Sequence, residues 1–386
     1  MEEEIGVAGV SCDTSVKRLY LDYNASTPLA AEAFEEMLPY LQQFYGNPSS
    51  SHWASESLKP AIELARSRVA ASLGASSDEI VFTSGGTEAN NHALKGVFYA
   101  SPHRGRHIVT TAIEHPAILN PCAFLHTVGA EVTYVPVDEV GRVSPEAIEE
   151  AIREDTILIS VMHANSEVGT IQPIKKISDT ARRYGIPLHT DAAQSFGKIR
   201  VNVEELGVDL LSIAGHKLYA PKGVGALYIR AGTKIEPFMH GAGHESGRRA
   251  GTENVPYLVG LGKAAELAAE QAFSSEVRLL KEILREGLRD VFGEKIRFNG
   301  DPEHSLPNTL NASFLGRNGQ DILRQFPEIA ASTGSACHSG SATLSPVLRA
   351  MGVSEYEGLG AIRFSLGRYT TKEEIESVIA LFRQRL

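Results

Sequence analysis

The sequence of this 386-residue chain predicts an α/β fold accompanied by a smaller α+β domain. Strand-like apolar runs alternate with helical segments between residues 79 and 229, which is typical of a mostly parallel sheet covered by helices on both faces. After Gly262 the composition changes to Ala/Glu-rich and charged helical sequence, followed by shorter strands. A chain of this length can form one large and one small domain.

Two helices are predicted ahead of the alternating region. Thr27 is expected to cap a helix over residues 30–43, with Pro28 at its first position. A second amphipathic helix is predicted over residues 60–74, where Gly74 is a suitable terminator.

The alternating region contains strand-like runs with helical segments such as 145–153 and 174–184 between them. The runs cover residues 79–83, 107–111, 131–135, 156–161, 186–191, 208–213 and 224–229. Ligands of such sheets bind at the carboxyl ends of the strands. The polar residues near those ends are therefore the candidates for a site: Thr87, Glu114, His115, Asn165, Asp191, Gln194 and Lys217.

The remainder predicts the smaller domain, joined to the first by a long helical region. Helices are predicted over residues 263–273, 276–291, 320–325, 346–351 and 372–383, and strands over 296–299, 308–314 and 361–365.

Bulk composition limits the possible functions. The net charge of −10 does not favour a nucleic-acid or anionic-membrane partner. No apolar run approaches the length of about eighteen residues that a membrane span needs. The three cysteines have no metal-ligand spacing, and their scarcity together with the acidic start Met1–Glu4 predicts a cytoplasmic protein without a bound metal.

Lys217 has unusual neighbours for a lysine. Strand-like apolar sequence lies on both sides of it, and His216 precedes it directly. A lysine held between buried strands is partly desolvated, which lowers its pKa and suits it to form a Schiff base. The residues alone equally allow a lysine in a tight loop over the edge of a sheet.

Three further features point to the same chemistry. The small-residue turn at Gly86 and Thr87 suits an anion at a helix start, although a plain strand-to-helix connection is also possible. Asp191 ends a strand, where a buried carboxylate needs a cationic partner such as a protonated pyridine nitrogen. His115 is placed to stack on a ring. Individually, Asp191 could cap a helix and His115 could belong to the core, but the combination predicts a pyridoxal phosphate (PLP) site.

These residues lie in segments that resemble the cysteine desulfurase family, a branch of the fold-type I, aminotransferase-like PLP enzymes. The resemblance extends from about Leu19 to the C-terminus. Its segments are LDYNASTP (21–28), GNPSS (46–50), TSGGTEAN (83–90), EH (114–115), NSEVG (165–169), HTDAAQ (189–194), GHK (215–217), GTEN (251–254), GSAC (334–337) and IRFSLGR (362–368).

The resemblance implies a homodimer and a specific domain plan. A large domain over residues 28–265 would contain a mostly parallel seven-stranded sheet. Residues 1–27 and 266–386 would form the small domain, which carries a catalytic cysteine. Thr252 would reach the cofactor phosphate of the neighbouring subunit.

The resemblance also implies roles for the cofactor-binding residues. Lys217 would hold PLP as a Schiff base and move protons at the substrate α-carbon, Asp191 would pair with the pyridine nitrogen, and Gln194 would bind the ring hydroxyl. His115 would stack on the ring and act in acid/base steps. The phosphate would be held by Gly86, Thr87 and His216, and the amino-acid substrate by Asn165 and Arg363.

Cys337 would be the nucleophile of this reaction. It lies in the small, polar stretch 332–341, which predicts a mobile loop rather than core. A lone cysteine is otherwise commonly a buried small hydrophobe, and that interpretation is kept for Cys12 and Cys122.

The implied activity converts L-cysteine to L-alanine and leaves a persulfide on Cys337, which an acceptor or scaffold protein would take for iron–sulfur cluster or thio-cofactor synthesis. Ala214, where the family often has serine, and His338 also occur in selenocysteine lyases, so L-selenocysteine is the alternative substrate. A non-catalytic scaffold partner in sulfur-cluster assembly is an alternative of another class, but such a protein would be expected to have lost Lys217 or Cys337, and both are present.

Overall fold

The computed structural model describes residues 18–270, 275–334 and 343–386 of the chain. Within them the strands are β1 (Leu19–Tyr20), β2 (Ile80–Thr83), β3 (His107–Thr111), β4 (Glu131–Val135), β5 (Thr156–Ser160), β6 (Leu188–Asp191), β7 (Leu210–Ala214), β8 (Gly225–Ile229), β9 (Ile296–Asn299), β10 (Thr309–Phe314), β11 (Ile329–Ala330) and β12 (Ala361–Ser365).

The helices alternate with these strands through the first two thirds of the chain. They are α1 (Ala31–Gln42), α2 (Leu58–Leu73), α3 (Gly86–Ala100), α4 (Pro116–Thr127), α5 (Pro145–Glu150), α6 (Ile174–Arg183), α7 (Val203–Leu206), α8 (Val255–Glu270), α9 (Ser275–Phe292), α10 (Gly319–Gln325), α11 (Pro346–Ala350), α12 (Glu355–Gly358) and α13 (Lys372–Arg385).

The central sheet has seven strands in the order β2-β8-β7-β6-β5-β3-β4. The neighbours from β7 through β6, β5 and β3 to β4 pair in parallel, whereas β8 is antiparallel to both β2 and β7. The predicted α/β class and mostly parallel seven-stranded sheet are therefore confirmed.

Burial explains why these strands read as continuous apolar runs. Every residue of β3, β5, β6, β7 and β8 is buried, because helices cover both faces of the sheet. The edge strand β4 is the exception, and its Glu131 and Tyr134 are exposed. A sheet covered in this way leaves its strand ends as the place where polar side chains meet a ligand.

A second sheet, β12-β10-β9, is antiparallel and lies in the C-terminal part of the chain. Its apolar side chains share a core with α9, α13 and two residues from the chain start, Leu19 and Leu21. β1 also pairs in parallel with β11. The predicted boundary between residues 265 and 266 falls inside α8.

Two predictions about helix ends have different outcomes. Gly74 does end α2, in the left-handed conformation at φ +69°. The predicted cap at Thr27 is wrong: α1 begins at Ala31, and Ala30 precedes it without a capping side chain. The Thr27 hydroxyl instead donates to the His216 carbonyl and accepts from the Tyr219 amide, since this tertiary contact outweighs the local capping signal. Of the helices described, none is long and apolar enough to cross a membrane.

Candidate active site

A cavity of about 590 Å³ opens at the carboxyl ends of β6 and β7. Seven of the residues predicted to form the site line it, although they are widely separated in sequence. They are Gly86, Thr87, His115, Asp191, Gln194, His216 and Lys217.

Lys217 follows β7 in a single 3-10 turn, Gly215–Lys217. Its Nζ donates to the carbonyl oxygens of Asn24, at 2.5 Å, and Ala25, at 2.9 Å. Burial lowers the pKa of Lys217 to about 8, and the nearby Arg363 guanidinium acts in the same direction. At pH 7 about a tenth of the amine is therefore unprotonated, far more than for a lysine of ordinary pKa, and Schiff-base formation requires this neutral form.

The backbone after Lys217 is held in a conformation that few residues other than glycine adopt. Tyr219 has φ +67°, in the left-handed region. The Thr27 hydroxyl accepts a hydrogen bond from the Tyr219 amide at 2.8 Å. The Tyr219 hydroxyl accepts one from the Arg368 amide at 2.7 Å. These contacts lock a strained turn, which fixes the position from which the Lys217 side chain enters the cavity.

Asp191 is the last residue of β6 and projects into the same cavity. One carboxylate oxygen accepts from Asn90 Nδ2 at 2.7 Å, and the other accepts from the Ala193 amide at 2.9 Å. Both donors are neutral, so within the described part of the chain no cation bonds to either oxygen of Asp191. A protonated pyridine nitrogen is a chemically suitable partner for it.

The two histidines of the cavity are neutral imidazoles. Burial lowers the pKa of His115, and burial followed by the nearby Lys217 lowers that of His216 to about 4. His115 directly precedes α4, and its Nδ1 accepts from the Ala117 amide at 3.0 Å. Its neutral ring therefore carries the proton on Nε2.

The start of α3 supplies an anion-binding geometry at the other side of the cavity. Gly85, at φ +147°, precedes Gly86 and Thr87 of the first helical turn, and apart from its chain neighbours no described residue lies within 4 Å of a Cβ built on Gly85. Free amides at a helix start attract a phosphate. A Cβ on Gly86 would lie 3.1 Å from Ala214 Cβ, so the cradle is narrow on that side.

These groups together fit PLP. The start of α3 suits the phosphate, the Asp191 carboxylate suits the ring nitrogen, and Lys217 has the lowered pKa that a Schiff base needs. The residues that would hold it are Lys217, Asp191, Gln194 and the start of α3, with His115 beside them. When bound, PLP supplies an electron sink for negative charge developing next to an amino group.

Arg363 lies on β12 and lines an adjoining cavity of about 770 Å³, which shares His115 and Ser166 with the first. Its Nη2 donates to Asp22 Oδ1 at 2.7 Å and its Nη1 to the Ser166 carbonyl at 3.1 Å. Its Nε is buried and has no partner among the described residues. Ser332, Thr333 and Gly334 line this second cavity as well, immediately before the stretch that contains Cys337.

Besides Arg363, two described residues of the predicted site, Asn165 and Thr252, do not line the first cavity. Asn165 is only 1% exposed, and its side chain accepts from the amides of Glu167 and Val168; its neighbour Ser166 lines the cavity instead. Thr252 is exposed and does not line it. Cys337, like His338, lies outside the described residues.

Sequence patterns missed two polar residues at the site, Asn24 and Lys198, whereas Glu114 was among the predicted candidates. Asn24 and Lys198 are buried beside Gln194 and bond to it. Glu114 is buried next to His115, and burial raises its pKa to about 8. No helix covers residues 192–200, so helical spacing gave no signal for Lys198.

Comparison with known proteins agrees with this geometry. The model of the aminotransferase class-V family matches residues 19–378. A curated relative from Dictyoglomus turgidum, "Cysteine desulfurase IscS", is 51% identical over 93% of this chain and 92% of its own. A solved "NifS-like protein" is 39% identical with a TM-score of 0.89, covering 95% of this chain and 98% of its own. Another structure, "SspA in complex with cysteine", is 40% identical with a TM-score of 0.82, covering 92% and 100%.

The chain therefore belongs to the aminotransferase class-V family of fold-type I PLP enzymes. Its cofactor is PLP. Within that family it is a cysteine desulfurase, as its sequence had indicated.

Proposed function

We propose that this enzyme transfers the sulfur of L-cysteine to Cys337, releases L-alanine, and passes the sulfur from the resulting persulfide to an acceptor protein. The observation that carries the proposal is the pair of adjoining cavities. One gathers Lys217, Asp191 and Gln194, and the other places Arg363 beside Ser332–Gly334, three residues before Cys337. The complex of the related SspA with cysteine supports the same substrate.

The substrate is bound through its carboxylate in this proposal. Arg363 lines the second cavity with a guanidinium held in place by Asp22 and the Ser166 carbonyl, and a carboxylate is the group that such a fork of donors binds. Ser166, which borders both cavities, lies between the carboxylate site and Lys217. Asp191 keeps the cofactor ring nitrogen protonated, which strengthens the electron sink.

Lys217 and His115 are the groups that transfer protons during the reaction. Lys217 takes the proton from the substrate α-carbon, a task suited to an amine whose pKa of about 8 lies near the working pH. His115 presents an Nε2–H group and, as a neutral ring, can donate that proton or return it.

Sulfur transfer then requires no external oxidant. The Cys337 thiolate bonds to the substrate sulfur, the Cβ–S bond breaks, and its electron pair remains on Cβ. Protonation of Cβ yields the methyl group of alanine, while Cys337 retains the sulfur as a persulfide. A thiol of the acceptor then attacks the outer sulfur, which releases the Cys337 thiolate.

Two further parts of the proposal concern assembly. We infer a homodimer in which Thr252 contributes to the cofactor phosphate site of the neighbouring subunit, because its exposed position leaves it outside its own cavity. The acceptor is a sulfur-receiving or scaffold protein of iron–sulfur cluster or thio-cofactor synthesis.

The test is alanine release from L-cysteine by the wild type, Cys337→Ala and Cys122→Ala. Cys122 is a matched control because it is buried and burial raises its thiol pKa to about 12, so it cannot supply a thiolate. We expect only Cys337→Ala to abolish release and to lack the added sulfur in its intact mass. Equal release by Cys337→Ala, or release from L-selenocysteine alone, would contradict the proposal.

A further inference from the structure

A second buried lysine lies beside the cofactor cavity, in the turn after β6. Lys198 is 4% exposed, and its Nζ donates to Gln194 Oε1 and to Asn24 Oδ1, each at 2.7 Å. Burial lowers the pKa of Lys198, and the charged groups that act on it, Lys217 and Arg363, are cations that lower it further. A lysine in such surroundings is costly to the fold, so its position needs a reason.

The contact with Lys198 decides which way the Gln194 amide points. Lys198 Nζ donates to the oxygen of the amide, while the Asn24 carbonyl on the other side can only accept, so the oxygen faces Lys198 and the nitrogen faces Asn24. Gln194 Nε2 donates one N–H to the Asn24 carbonyl at 3.0 Å. Since Gln194 lines the cavity, its second N–H is available to a ligand there.

Asn24 makes this arrangement rigid. Its carbonyl accepts from both Gln194 and Lys217, and its side chain joins Lys198 to Asn308 and Thr309 of the C-terminal part. Because every partner of Asn24 named here is buried or half-buried, the Gln194 amide cannot turn without leaving a buried polar group unpaired.

We propose that Lys198 is a positioning residue that forces Gln194 to present a donor, rather than an acceptor, to the ring hydroxyl of bound PLP. This role rests on the proposed function, in which Gln194 is the partner of that hydroxyl. It gives the chain a second lysine with a task at the cofactor, distinct from that of Lys217.

The test is the pH at which the visible band of the PLP-loaded protein titrates, in the wild type and in Lys198→Met. A donor to the ring oxygen draws electron density from it, so without that donor the site holds its proton more tightly. We expect the midpoint to rise by about one pH unit. The other titratable groups that line the cavity are the same in both proteins: Glu88, His115, Asp191, His216, Lys217 and Lys222.

Gln194→Ala and the double variant show whether Lys198 acts through Gln194. We expect Lys198→Met to add no further shift once Gln194 is alanine. An unchanged midpoint in Lys198→Met, or shifts that add in the double variant, would overturn the proposal. If methionine at 198 prevents folding, Lys198→Gln carries the same prediction, because a glutamine there no longer requires Gln194 to present its oxygen.

Lys281→Met is the matched control. Lys281 is also a buried lysine, 5% exposed, but it lies on α9 and donates to Ser305 Oγ and the Leu306 carbonyl, away from the cavity residues. It should leave the midpoint unchanged, and an equal shift would refute a specific role for Lys198. Wild-type protein that neither binds PLP nor releases alanine would defeat the proposed function itself, whatever the variants do.

Discussion

Replacing Arg363 by lysine tests whether this side chain binds the substrate carboxylate. Lysine keeps the positive charge but has one nitrogen, so it cannot serve Asp22, the Ser166 carbonyl and a substrate in the way that the three guanidinium nitrogens can. Arg363 lines the second cavity, where the proposed carboxylate would accept from its guanidinium. A hydrogen bond to a charged group contributes about 1.5–3 kcal/mol, which corresponds to a KM for L-cysteine higher by about 10- to 150-fold.

The assay is steady-state alanine release over a range of L-cysteine concentrations, with the visible spectrum of bound PLP recorded in parallel. We expect KM to rise while the spectrum of the free enzyme changes little, because the proposed cofactor-binding residues are untouched. Arg297→Lys is the matched control: Arg297 lies on β9 of the same small sheet as Arg363, but its side chain is 43% exposed and pairs with Glu357. A KM within twofold of the wild-type value in Arg363→Lys would refute the reasoning.

Two further predictions concern stability. Glu245→Gln breaks the ion pair between Glu245 and Arg66, whose side chains are 4% and 10% exposed respectively, and should destabilise the fold by about 3–5 kcal/mol. The control is Asp179→Asn in the exposed Lys175–Asp179 pair, which should destabilise it by about 0.5 kcal/mol or less. Calorimetric Tm values check this, and similar shifts in both variants would contradict it. Burial raises the pKa of Glu114 to about 8, so between about pH 4.5 and pH 8 the folded protein keeps a proton that the unfolded chain loses, and this group makes stability fall as pH rises. Glu114→Gln should therefore gain Tm relative to the wild type from about pH 5.5 to pH 7.5, and a constant difference over that range would rule out the raised pKa.

The main architecture followed from the sequence because it depends on long, repeated patterns. Buried parallel strands must be apolar along their whole length, so the runs at 156–161 and 208–213 identified β5 and β7 with small errors at their ends. The rule that ligands bind at the carboxyl ends of such strands then brought Asp191 and Lys217 into one predicted site, and both line the same cavity.

Local signals were less dependable where a distant segment competes for the same group. Thr27 had the sequence of a helix cap, yet its hydroxyl binds the turn at His216 and Tyr219. Asn165 stood at the expected strand end, but its side chain turns into its own loop and Ser166 borders the cavity. Neither outcome is visible in a window of neighbouring residues, because the competing partner comes from elsewhere in the chain.

The sequence by itself determined the class of fold, the family resemblance, and the residue types available for PLP chemistry, because these depend on composition, periodicity and the order of short motifs. Only the tertiary structure decided which of those residues are ionised and how they are oriented. The lowered pKa of Lys217, the raised pKa of Glu114 and the amide direction of Gln194 all depend on burial and on partners distant in sequence, such as Asn24. Desolvation and hydrogen-bond geometry are properties of the folded chain, since they exist only after these segments have come together.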